Sequence, residues 1–190
     1  MTPPPLAVPT ALLWTDAAAL TADARPQLVL IADLARADVV RREAALFGSG
    51  RMQLAARVFR HVHLAPADAA KDPRLAGFAA DAPVLLVATP DGTKAFSLRG
   101  ADLTADGALE KMTAVTASVS TDDLSTIVTN AERLQISIAA VDAELAALAR
   151  TPLSEADRQA RTAAATARRN ALVTEFRAQF VLHARPTAGS

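Results

Sequence analysis

The amino-acid sequence predicts an α/β fold, a mixed sheet flanked by helices, followed by a long antiparallel α-helical hairpin of coiled-coil type. Three observations carry this expectation. Ala82-Pro83 opens the apolar run Val84-Leu85-Leu86-Val87, which ends in Thr89-Pro90-Asp91-Gly92; proline lacks the N–H of a central ladder, so it belongs at a strand's entrance, where a cis bond in a tight turn is expected. Short apolar runs alternate with helical spacing from Gln27 to Ser118. Beyond Ser120, Leu124, Ile127, Ala131, Leu134, Ile138, Val141, Leu145 and Leu148 recur at three- and four-residue steps with no glycine or proline between them, which is the spacing of a helix seam.

Residues 1–11 are proline-rich and predict a flexible N-terminal segment. Thr15 to Ala24 is alanine-rich with Asp16 in its first turn, a short helix capped by Thr15. Gln27 to Ala32 reads as a buried strand, Val39 to Leu46 as a helix that Gly48-Ser49-Gly50 interrupts, and Arg51 to Arg57 as its resumption. Val58 to Leu64 alternates as a second strand. Asp72-Pro73 joins an N-cap to a proline at the first helical position and predicts a helix to about Asp81. The Pro83 strand and Lys94 to Leu98 form a β-hairpin closed by Gly100, and a helix from Thr104 to Ser118 completes a domain at 12–119. Thr121, Asp122 and Asp123 then start a helix of about 29 residues, roughly 43 Å long. Thr151-Pro152-Leu153-Ser154 breaks it, and Glu155 begins a second helix running to His183. So short a turn makes the two antiparallel. Ala156, Ala160, Ala163 and Ala167 are the small residues expected to face the first helix, with Leu172, Val173, Phe176 and Phe180 at the far end of the same seam, beside Leu124 and Ile127, in a hairpin spanning 120–184, ahead of a flexible tail at 185–190.

Composition narrows the function classes. The chain is 51% hydrophobic and 21% charged, a globular balance, with lysine plus arginine equal to aspartate plus glutamate at 20 each. No nucleic-acid partner is expected from so neutral a chain. The absence of cysteine excludes disulfides, thiolate metal sites and thiol nucleophiles. No apolar stretch reaches the roughly 18 residues of a membrane span, and Met1-Thr2-Pro3-Pro4-Pro5 lacks the basic and apolar regions of a secretory signal. No membrane insertion and a cytoplasmic location are the expectation.

Candidate chemistry is sparse. His61 and His63 share one face of a strand, but two histidines with no cysteine are better read as ordinary polar positions than as metal ligands. His183 reads as a cation at a helix C-terminus. Gly48-Ser49-Gly50 comes after a helix rather than a strand and so is a helix break, not a phosphate loop. Arg158, Arg161, Arg168 and Arg169 read as a solvated helix face. No metal and no cofactor are expected.

Trp14 ahead of the first helix, Arg25-Pro26 before the first long strand, Glu43 and Phe47 in the next helix, Phe59 at the next strand and the Pro83 to Gly92 segment occur in an order and spacing that resemble the thioredoxin-like superfamily over residues 12–118. The resemblance implies a mixed sheet flanked by helices. It would place a redox Cys-x-x-Cys at Arg36 and Val39, where this chain reads Arg36-Ala37-Asp38-Val39, with Asp38 expected as an N-cap. Thiol-redox catalysis is therefore excluded. A glutathione-transferase-like reading is disfavoured: the chain has no tyrosine, no serine, threonine or cysteine stands between Asp33 and Phe47, and no Glu-Ser pair comes after Asp91-Gly92. The resemblance further implies a peptide-binding groove at Arg36, Ala37, Asp38, Val39, Ala82, Pro83 and Gly100. These readings together predict a redox-inactive thioredoxin-like interaction or scaffold protein that binds a protein partner or self-associates as a homodimer. Leu134, Ile138, Val141, Leu145 and Leu148 are expected to form its hairpin interaction face, because the alanine seam opposite offers too little to cover them. An enzyme of unrecognised type on the same scaffold is the alternative.

Overall fold

The computed structural model describes residues 25–185, so Trp14, the expected helix at 15–24 and the N-terminal segment lie outside the described residues. Strand β1, Gln27–Ile31, is buried along its whole length, as a continuous apolar run between two paired strands requires. Helix α1, Ala37–Phe47, comes next and turns Val39, Leu46 and Phe47 inward. Ser49 ends the break after α1 by accepting the Met52 amide at 3.1 Å and so capping α2, Gly50–Ala56. Val58 and Phe59, expected as strand, instead close the turn from α2 through amide bonds to Ala55 and Ala56, and β2 is Arg60–Leu64.

The helix expected from Pro73 to Asp81 is replaced by two short pieces. Pro66 starts α3, Pro66–Ala69, and α4 is only Ala76–Ala79. Asp72 is not a helix cap: it accepts the Arg74 amide at 2.9 Å within a turn, and the N-cap of α4 is Leu75, with no side-chain cap bond. The segment after this turn has only Leu75 and Phe78 as large apolar anchors, both half-buried, with Gly77 between them, too little to hold a longer helix. Strand β3, Val84–Ala88, is fully buried and enters through a cis Ala82–Pro83 bond. Gly92, at φ +71, closes the turn to β4, Ala95–Arg99, and Gly100 ends that strand at φ +55, a backbone region open mainly to glycine. Thr104 caps α5, Ala105–Val119, by accepting the Gly107 amide.

The strands form one mixed sheet in the order β2-β1-β3-β4, with β1 parallel to β2 and antiparallel to β3, and β3 antiparallel to β4. One face, Val29, Ile31, Val62, Leu64, Val84 and Leu86, packs with Ala69 of α3 and with Leu75, Phe78 and Ala79 around α4. The alternate residues, among them Leu28, Leu85, Val87 and Leu98, point to the other face. There α5 packs on β3 and β4 and meets α1 and α2.

Helix α6, Leu124–Leu148, has 25 residues, about 37 Å. It starts later than expected because Asp123 is its cap, accepting the Thr126 amide at 2.8 Å. Helix α7, Glu155–Ala178, is capped by Ser154, and the two make the predicted hairpin. Residues 127–181 form one compact unit, and residues 25–126 with 182–185 form the other. No helix among the described residues is long and apolar enough to cross a membrane.

The inner face of α7 is the expected one towards its far end, where Leu172, Val173 and Phe176 are half-buried, but not along the alanines. Ala156, Ala160, Ala163 and Ala167 are exposed, while Ala165 is buried and Arg158, Arg169, Leu172 and Phe176 are half-buried. Leu172 and Phe176 have far more apolar area to remove from water than alanine, so their stripe turns inward. Arg169 Nε then reaches Asp142 of α6 at 2.5 Å and Arg168 pairs with Glu144. Neither Arg158 nor Arg169 belongs to a fully solvated face.

Candidate functional site

The strand register gathers the predicted groove residues at one end of the sheet. Ile31, the last residue of β1, lies opposite Leu64 on one side and Val84 on the other, and Val84 lies opposite Arg99. Ala82-Pro83, the turn into α1 and Gly100 therefore all leave the sheet at the same end. Asp33 shapes the turn by accepting the Ala35 amide on its side chain and the Arg36 amide on its carbonyl, at 3.0 and 3.1 Å. The chain of β1 has thus bent away just where Ala82 would need a strand partner.

Residues along a strand alternate the direction of their backbone groups. Thr89 donates its amide to the Lys94 carbonyl at 2.9 Å, so Leu85 and Val87 address β4, and Val84, Leu86 and Ala88 address β1. Ala82 lies beyond the end of that ladder. Its N–H and C=O make no hydrogen bond among the described residues, and the residue is half-buried, as is Pro83. Asp81, immediately before it, forms an ion pair with Arg99 across the β3–β4 hairpin.

At the start of α1 the expected roles shift. Asp38 is not the N-cap; Arg36 holds that position with no side-chain cap bond, and Asp38 sits in the first turn. The Arg36 guanidinium grips both carboxylate oxygens, at 3.2 and 2.8 Å, and this bond holds the Asp38 carboxyl below the ordinary carboxylate range. The pair is exposed, so its net contribution to stability is small. Arg36, Ala37, Asp38 and Gly100 are exposed, whereas Val39 is buried. Val39 is removed from the groove, because it shares the inward stripe of α1 with Leu46 and Phe47.

The five hairpin residues behave differently from expectation. Within the single chain Leu134 is 3% exposed, Ile138 6%, Val141 5% and Leu148 8%, and only Leu145 is half-buried. Four of the five are thus covered within the single chain, contrary to the expectation that a monomer leaves this seam partly wet.

The histidines serve the fold. His61 and His63 each place Nε2 against a backbone carbonyl, of Ala56 at 2.7 Å and Ala32 at 2.9 Å, so that nitrogen carries the proton. No group of three or more potential metal-binding side chains occurs among the described residues. His183 lies beyond the end of α7 and meets Asp122 instead of the helix terminus: its amide donates to Asp122 Oδ2 at 2.6 Å and its Nδ1 stands 3.1 Å from both carboxylate oxygens. Ser120 Oγ lies 2.9 Å from the same carboxylate and 2.7 Å from the His183 carbonyl. Here the carboxylate stands between hydroxyl and imidazole, which is not the order of a hydroxyl–imidazole–carboxylate relay, and Ser120 is 1% exposed, so its hydroxyl is closed off from solvent. The cluster fastens the segment 182–185, which also pairs Ala184 with Ser120.

Sequence reasoning missed the Asp81–Arg99 pair. The pair had a signal in opposite charges just before and at the end of two strands joined by a tight turn. Compared with protein-family models, with curated proteins and with solved structures, the chain matches none.

Proposed function

We propose that the protein is a redox-inactive thioredoxin-like interaction module that docks an extended segment of a protein partner against Ala82. The observation that carries this reading is the N–H and C=O of Ala82, unpaired among the described residues and half-buried at the end of the β1–β3 ladder. An extended chain laid there would continue the ladder with main-chain bonds. The element order strand, helix, strand, helix, strand, strand, helix supports the thioredoxin-like reading. Arg36 and Val39 stand at the start of α1, where the resemblance would place thiols, and with no cysteine in the chain the surface is left without that chemistry. Arg36 with Asp38 and Arg99 with Asp81 border the docking point with two charge pairs.

The test is selection of random extended peptides displayed on phage against the full chain, followed by titration of a selected synthetic peptide into isotope-labelled protein. The Ala82 amide resonance is expected to shift and its solvent exchange to slow, with binding lost in Ala82→Pro, which removes the donor. Selected peptides that perturb other amides and leave Ala82 unmoved would overturn the reading, as would failure to select any.

A further inference from the structure

We infer that the open edge of β4 is a second strand-docking surface, fitted to an acidic extended segment of a partner protein. Strand β4 is the last in the sheet order. Because Lys94 accepts from Thr89 and Val87 lies opposite Phe96, the alternation of an antiparallel pair directs the backbone of Lys94, Phe96 and Leu98 to β3 and that of Ala95, Ser97 and Arg99 outward. These three outward residues are exposed and make no backbone hydrogen bond among the described residues. They offer three donors and three acceptors, the template for an added strand.

The side chains along this edge select the occupant. Phe96 is half-buried, with the Lys94 ammonium 5.5 Å and the Lys111 ammonium of α5 5.6 Å from its ring centre. Lys111 also meets its neighbour Glu110, and Arg99 meets Asp81, but Lys94 has no carboxylate partner among the described residues. A second copy paired antiparallel through β4 would bring two such lysine-flanked rings side by side, and like charges that close repel. An incoming strand with glutamate or aspartate on the Phe96 face meets opposite charge instead, with its main chain bonded to the edge. This surface is separate from the Ala82 site, because its bonding groups point away from β1.

The test titrates a capped octapeptide of alternating glutamate and valine into the isotope-labelled full chain. Amide shifts centred on Ala95, Ser97 and Arg99 are expected, with an affinity that falls as salt is added. Ser97→Pro removes an outward donor without touching the β3 ladder, and Lys94→Glu with Lys111→Glu reverses the charge while leaving the backbone intact. Each is expected to weaken binding by about tenfold or more. Binding that survives both changes, shifts confined to Ala82, no shifts at all, or a β4-paired dimer in place of peptide binding would each overturn the proposal.

Discussion

Leu85 in β3 and Leu145 in α6 are the same side chain in a regular element, yet the first is wholly buried and the second half-exposed. The sheet unit has helices over both faces, so a central strand is covered from above, below and both sides. In the hairpin α6 supplies nearly all the bulk, and α7 answers with Ala165 and a row of half-buried residues. Charge pairs from Arg168 and Arg169 to Glu144 and Asp142 make up part of the contact. Equal hydrophobicity in sequence thus gives unequal burial, because a sheet has two faces to cover and a helix pair has one seam.

The largest test of that contrast is a pair of truncations. Leu85→Ala is expected to cost about 2–5 kcal/mol, the transfer loss plus a cavity that neighbours on every side keep open. Leu145→Ala is expected to cost about 1 kcal/mol or less, since much of that side chain is already wet. Denaturant unfolding of both variants measures the difference, and equal costs would break the comparison.

The same physics explains why the sequence was legible in one region and less so in the other. β1 and β3 were readable because an unbroken apolar run has no place but the middle of a sheet, and the groove residues came together because Pro83 and Gly100 mark where chains leave it. Val39 was misplaced in the groove because its inward direction depends on where α1 begins, and that start lies earlier than an Asp38 cap implies. On α7, Leu172 and Phe176 were read inward correctly, and the alanines were misread because at heptad spacing they pattern like a seam, whereas the stripe that Leu172 and Phe176 set carries Ala165 in their place. The pieces α3 and α4 rest on turn chemistry at Pro66 and Asp72, which periodicity does not register.

A smaller effect is expected where the chain returns to the sheet unit. The His183 amide, with help from Ser120 and the His183 ring, holds the Asp122 carboxyl below its ordinary range. A depressed folded-state pKa contributes stability that is present above the unfolded-state value and is lost as pH falls through the folded one. Asp122→Asn is therefore expected to lower stability at neutral pH while weakening its decline in acid. Thermal melts of both proteins from neutral to strongly acidic pH check this, and parallel curves would mean that Asp122 does not fasten the segment 182–185.

The central claim is that the hairpin satisfies its own seam and that partner-facing groups lie on the sheet unit. Sedimentation equilibrium of the full chain over a wide range of concentration tests it most directly, beside the variant carrying Ile138→Glu and Leu145→Glu. The account predicts a monomer at every concentration for the native chain, with the variant changed in helical content and stability but not in mass. A native dimer that the double substitution converts to a folded monomer would contradict it, returning Ile138 and Leu145 to an interface between chains.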